Sequence, residues 1–263
     1  MPVRIVTDSS AGLPQEIVDE LDITVCQLHV MDNEDSDTTT SALSALEIAA
    51  EYGRQMERGG DEGLVGLHLA KELSSTWSAA VTASAVFPDD KVRVIDSGTA
   101  GMVLGAAAMA AAKLAKDGAD VDECYEAAQN TIERGKTWVY LSSTDEIRRS
   151  GRMSTTTAMI STALLATKPI MALNDGRLEL VGRTRTQTKG FIKLVDLVAS
   201  EAGGKPVFIA LQHNDAEEQA EILQDLLEQA LPEGSSFILT ELNDVVAVHV
   251  GAGAIGVSAV YSA

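Results

Sequence analysis

The sequence predicts an α/β protein of two lobes, an N-terminal mainly parallel doubly wound sheet followed by a C-terminal mixed α/β lobe. Three observations lead there. From Val3 to Leu141, short β-branched runs alternate with stretches of helical length, the pattern that layers helices on both faces of a parallel sheet. After Gly151-Arg152 the pattern changes to a hairpin and then to mixed helices and strands. Finally, 263 residues are many for one compact unit and comfortable for two. The expected division is residues 1–150 and 151–263.

Val3 to Thr7 is a β-branched run and reads as a buried strand, with Asp8-Ser9-Ser10 opening a loop. Pro14 stands in the first turn of a helix that ends near Leu21, where its missing N–H costs nothing. Ile23 to Val30 reads as a strand and Met31 to Thr39 as a polar, acidic loop. A helix follows from Ser44 to Gly59-Gly60, with Leu46, Ala49 and Ala50 on one face. Leu64–Leu69 is a strand, Ser74–Ala85 a helix and Val92–Asp96 a strand. Helices at Met102–Lys116 and Val121–Arg134 lead to a strand at Thr137–Leu141, taken as the last of the first lobe.

In the second lobe, a helix is expected from Thr155 to Ala166. Asn174-Asp175-Gly176 joins Pro169–Leu173 to Leu178–Val181 as a β-hairpin. A helix at Gln187–Ala202, a strand at Val207–Leu211 and a helix at Ala216–Ala230 come next. Strands at Phe237–Leu242 and Val245–Val250 complete the reading.

Composition narrows the function classes. A net charge of −19, with no basic run longer than Arg148-Arg149, opposes nucleic acid and anionic membrane surfaces, which demand clustered Lys and Arg. Aromatics are only 4% against 45% hydrophobic residues, so the interior is aliphatic, with few rings for stacking on bases or sugars. Cys26 and Cys124 form neither a disulfide framework nor a metal-ligand spacing. Met1-Pro2-Val3-Arg4-Ile5 runs straight into a strand, and the longest apolar stretch, Met102 to Ala112, is too short for a bilayer. A cytoplasmic protein without stable membrane insertion is expected.

Catalytic signals are missing. There is no Gly-x-Ser-x-Gly elbow and no Gly-x-x-x-x-Gly-Lys loop. The four histidines, His29, His68, His213 and His249, have no ligand spacing, so no metal and no cofactor are expected. A hydrolase or phosphotransferase working through Asp8 or Ser74 remains the alternative, as does a regulatory binder of another apolar acid. Four stretches do place small polar donors at strand ends or loop-to-helix junctions: Thr7-Asp8-Ser9-Ser10, Thr38-Thr39-Thr40-Ser41, Ser74-Ser75-Thr76 and His249-Val250-Gly251-Ala252-Gly253. Ligands of α/β sheets sit at the carboxyl ends of strands, and helix starts favour anions. Each stretch alone equally reads as an ordinary cap or turn.

Taken in order, the motifs resemble the DegV family. They are Val6-Thr7-Asp8-Ser9, Thr40-Ser41-Ala42-Leu43-Ser44, Leu73-Ser74-Ser75-Thr76-Trp77-Ser78-Ala79 and Ile95-Asp96-Ser97. Ser150-Gly151-Arg152, Lys168-Pro169-Ile170, Arg185-Thr186 and His249-Val250-Gly251-Ala252-Gly253 follow. Ser75, Ser150 and Ala252 stand where the family pattern has Gly, Gly and Pro, and the segment before Thr40 is shorter than usual.

The resemblance implies a non-catalytic fatty-acid-binding protein. One long-chain acyl chain would be buried in a pocket between and within two α/β lobes, and its carboxylate presented to a partner fatty acid kinase. By similarity, Thr40 and Ser74 match the hydroxyls that hold the carboxylate, and His249 the histidine near the headgroup. Ser41, Asp8, Ser9, Thr76, Arg152 and Arg185 are secondary candidates within the same motifs. Apolar surface for the chain is available on Met102–Ala112 and on the stripe Met159, Ile160, Leu164 and Leu165, although each residue taken singly reads as plain core.

Overall fold

In a computed structural model, the structure describes residues 2–32, 38–152 and 167–263. The expected helix at Thr155–Ala166, with Met159, Ile160, Leu164 and Leu165, lies outside the described residues, as does most of the acidic loop before Thr38. The chain divides into two compact units, Met1–Glu133 and Arg134–Ala263.

The first unit holds a four-stranded parallel sheet of β1 (Arg4–Asp8), β2 (Thr24–Cys26), β5 (Leu64–His68) and β6 (Val92–Asp96), in the order β2-β1-β5-β6. Alternate residues serve opposite faces, as the strand period of two requires. Ile5, Val65, Leu67 and Ile95 pack with α4 (Met102–Lys116) and α5 (Val121–Glu133). Val6, Leu64 and Val92 pack with α2 (Ala45–Arg58) and α3 (Thr76–Ser84). Burial on both faces is why these strands read as apolar runs in the sequence. The short α1 (Gln15–Leu21) follows a one-turn 3-10 segment at Ser9–Ala11.

Two local signals act as written. Ser44 caps α2 through the Glu47 amide while the Glu47 carboxylate returns to the Ser44 amide, a capping box. The alanines of α4 permit close layering: Ala107, Ala108, Ala111 and Ala112 are buried in the core against the sheet and α5. The expected strand Ile23–Val30 is instead two pieces, β2 and β3 (His29–Asp32). β3 turns away to pair antiparallel with β4 (Thr38–Ser41) as a separate two-stranded ribbon.

The second unit holds a six-stranded mixed sheet in the order β11-β10-β12-β7-β8-β9. Its strands are β7 (Gly135–Tyr140), β8 (Lys168–Asn174), β9 (Arg177–Thr184), β10 (Val207–His213), β11 (Ser236–Glu241) and β12 (Ile255–Tyr261). Only β10 and β11 pair in parallel. β7, expected to close the first lobe, lies between β12 and β8, so the division falls after Glu133 and not near residue 150. The β8–β9 hairpin turns at Asp175 (φ 45°) and Gly176 (φ 73°), the positive pair that a two-residue hairpin loop requires. α7 (Gln187–Ala202) and α8 (Glu217–Ala230) pack on the sheet through Phe191, Leu194, Val198, Leu223 and Leu227. A short helix, α6 (Asp145–Arg149), follows β7.

Val245–Val250 departs from the expected strand. The segment is not a strand but the final helix, α9 (Asp244–Val250), capped by the Asn243 side chain on the Val245 amide and stopped by Gly251 at φ 77°. The terminal strand is β12, which the sequence reading passed over.

Candidate functional site

In the first unit, the carboxyl ends of the strands carry the polar residues. Asp8 ends β1 and His68 ends β5, and both are fully buried. Asp8 Oδ2 accepts the Leu69 amide at 3.0 Å and lies 3.1 Å from His68 Nδ1. Its Oδ1 accepts the Ser10 amide at 3.1 Å and the Ser10 hydroxyl at 2.5 Å. His68 Nε2 in turn lies 2.8 Å from the Tyr52 hydroxyl, on α2. Burial pushes the Tyr52 phenol well above its usual range, the nearby Cys26 and Asp8 adding to the effect.

Asp8 is thus enclosed by internal donors, and as a carboxylate it would repel an acidic headgroup. Both of its oxygens are engaged inside the lobe. Ser9 also works internally: its Oγ accepts the Leu28 amide at 3.0 Å.

Ser74 and Thr76 stand together at the start of α3. The Ser74 Oγ lies 2.9 Å from the Thr76 hydroxyl and accepts the Thr76 amide at 3.3 Å. Ser74 is half-buried and Thr76 buried, so Ser74 is the more accessible of the two. Its backbone is held by an Ala70 carbonyl that accepts both the Leu73 and Ser74 amides, at 2.9 and 3.2 Å. Thr40 and Ser41 lie on β4, half-buried and paired across the ribbon with Val30 and His29.

In the second unit, His249 sits on the last turn of α9 rather than at a strand end. Burial lowers its imidazole to about 4, and the positive charge of Arg152 adds to the shift. The ring is therefore neutral near pH 7. Arg152 is half-buried, and its guanidinium turns back on the Ser150 carbonyl. Arg185 is exposed, just after β9. In the glycine turn after α9, the Gly251 amide bonds the Ala247 carbonyl at 2.9 Å and the Gly253 amide the Asn214 carbonyl at 2.7 Å.

Among the described residues, no group of three or more His, Cys, Asp or Glu is placed to hold a metal. Burial pushes the Cys26 thiol up to about 12, so it stays protonated and unreactive near neutrality.

His68 and Tyr52 were not among the sequence candidates. One signal pointed to them: Gly66, a glycine inside a buried strand, which marks a close approach of another group.

Hydroxyls and helix starts at the carboxyl edge of a parallel sheet are the ligand side of an open α/β fold. The class is a two-lobed α/β protein of this kind, and the chain belongs to the DegV family. Residues 2–262 match the family model described as "Uncharacterised protein, DegV family". A DegV domain-containing protein of Corynebacterium glutamicum is 58% identical over 262 residues, covering 100% of this chain and 95% of the relative. A crystal structure of a DegV family protein from the same organism has a TM-score of 0.97 at 57% identity, covering 100% of this chain and 98% of the other. A DegV family protein from Thermus thermophilus, whose structure is described under fatty acid binding, has a TM-score of 0.89 at 25% identity, with 99% of each chain covered.

Proposed function

We propose that this protein binds one long-chain fatty acid, with the acyl chain buried and the carboxylate held by the Thr40 and Ser74 hydroxyls. The observation that carries this reading is the Ser74–Thr76 hydroxyl pair at the start of α3, directly beyond β5. The motif containing it runs through a chain that matches, end to end, a relative described as fatty-acid binding. Because Thr76 can donate to Ser74 Oγ, the Ser74 proton is available for an anion.

The physical division of labour is simple. A tail of about fifteen methylenes gains roughly 0.8 kcal/mol each on leaving water, about 12 kcal/mol before the cost of association. The tail supplies affinity. The carboxylate, which is costly to bury without donors, supplies orientation.

By the same motif match, His249 is the second lobe's candidate for the headgroup. Arg152 and Arg185 are its secondary candidates, and Ser41 and Thr76 those of the first lobe. The protein acts as a cytoplasmic carrier and turns nothing over itself. It presents the carboxyl group to a separate fatty acid kinase, which converts it to an acyl-phosphate.

Native mass spectrometry of freshly purified protein, followed by oleate titration of delipidated protein, tests the reading. A retained acid in the C16–C18 range and saturable 1:1 binding are expected. Protein that carries no lipid and does not bind oleate overturns it.

A further inference from the structure

The layer between the first unit's sheet and the helices α2 and α3 is apolar, built by Val6, Ile48, Met56, Leu64, Ala80 and Ala83. Through it runs a polar chain of three fully buried side chains, Asp8, His68 and Tyr52. Three apolar residues of similar volume would fill that space without the cost of desolvating polar groups. The chain therefore calls for a role beyond filling the core.

Its hydrogen bonds have one consistent direction. The carboxylate only accepts, and it already accepts from the Leu69 and Ser10 amides, so His68 Nδ1 carries the proton that faces it. In a neutral ring Nε2 then accepts, and the Tyr52 hydroxyl donates to it. All three residues become locked in one arrangement.

That arrangement ends at the turn that carries Ser74. Asp8 grips both the His68 ring and the next amide, that of Leu69. The following residue, Ala70, donates to the Thr99 carbonyl at 2.9 Å and accepts from Leu73 and Ser74. Ser74 Oγ then pairs with Thr76. Hydrogen bonds run from the Tyr52 hydroxyl through His68 and Asp8 to the Leu69 amide, and the backbone continues to Ala70, whose carbonyl holds the Ser74 amide.

We propose that Tyr52, His68 and Asp8 are positioning residues for the carboxylate end of the ligand, fixing the β5–α3 turn so that the Ser74 hydroxyl is aimed. This rests on the reading of Ser74 as a headgroup donor. The chain touches no ligand. It supports the group that does, and its loss costs headgroup recognition while leaving the tail's contribution in place.

The test compares oleic acid with oleyl alcohol, which share a tail and differ in the charged end, by calorimetry on delipidated protein. The wild type should prefer the acid. Tyr52→Phe and His68→Leu should lower that preference about tenfold while changing alcohol affinity little. His68→Asn, whose amide can donate from near the Nδ1 position, should restore part of it. In a Ser74→Ala background, Tyr52→Phe should have no further effect on the preference.

A folded Tyr52→Phe variant with wild-type preference overturns the proposal. Equal losses for acid and alcohol also overturn it, because they mark a purely structural role. If His68→Leu fails to fold, Tyr52→Phe still decides, since it removes a single oxygen. A wild type that binds neither lipid sinks the fatty-acid reading itself and this proposal with it.

Discussion

Gly66 leaves open the space that the Tyr52 hydroxyl occupies. A Cβ on residue 66 would stand 1.9 Å from that oxygen and 2.7 Å from Tyr52 Cζ. The ring cannot retreat easily, because it is fully buried on α2 and bonded to His68. Gly66→Ala should therefore destabilise the first lobe by overpacking, at about 1–3 kcal/mol, with a similar cost if the Tyr52–His68 bond breaks. Urea unfolding against the wild type measures this. An unchanged midpoint and slope would show that the layer yields more readily than its packing indicates.

Removing either proposed headgroup hydroxyl should weaken fatty acid binding. Thr40→Val and Ser74→Ala keep volume closely and delete one donor each. Each should cost about 1–3 kcal/mol, roughly ten- to a hundredfold in Kd. If calorimetry gives both variants the oleate affinity of the parent, neither hydroxyl holds the carboxylate.

The pH behaviour of His249 follows from its lowered pKa of about 4, caused first by burial and then by Arg152. In the unfolded chain the ring titrates near its ordinary value of 6.5. Between those values the unfolded state binds more protons, so this group's contribution to stability is lost as pH falls from about 6.5 toward about 4. A carboxylate bound beside the ring would raise its pKa. Binding would then strengthen as pH falls through the raised value, until the ligand's own carboxylate protonates. NMR titration of the imidazole with and without oleate reads the effect directly. Superimposable curves remove His249 from the headgroup while leaving Thr40 and Ser74 in place.

Arg152 offers a separate check on the same ring. Arg152→Gln deletes the positive charge that helps to lower the His249 pKa, so the imidazole should titrate higher in the variant. An identical titration would leave burial as the whole cause.

Incubated alone with ATP and oleate, the protein should yield no acyl-phosphate. The chain has no phosphate-binding Gly-x-x-x-x-Gly-Lys loop. Sustained ATP consumption by purified protein would contradict the carrier reading.

Much of the architecture was legible in the sequence because its causes are local. Strands β1, β5 and β6 showed as β-branched or apolar runs because both of their faces are buried. The Asn174-Asp175-Gly176 hairpin showed because few residues tolerate positive φ at both turn positions. The helix from Ser44 showed because its cap is local, the Ser44 side chain accepting the Glu47 amide. The hydroxyl pair Ser74–Thr76 was readable as a motif, since two residues of spacing suffice to make it.

What the tertiary structure alone decided depends on partners distant in the chain. Val245–Val250 has the composition of a strand, yet it is helical, and Ile255–Tyr261 takes the place in the sheet between β10 and β7, partners far away in the chain. β7 follows directly on α5 in sequence but pairs with β12 and β8, so the lobe boundary moved with it. The Asp8–His68–Tyr52 chain joins three elements from separate parts of the sequence. Beyond the room that Gly66 leaves, no propensity or spacing encodes such a contact. It exists because folding a parallel sheet sets the ends of β1 and β5 side by side and lays α2 across them, and a buried carboxylate placed there must find its donors among whatever that packing brings near.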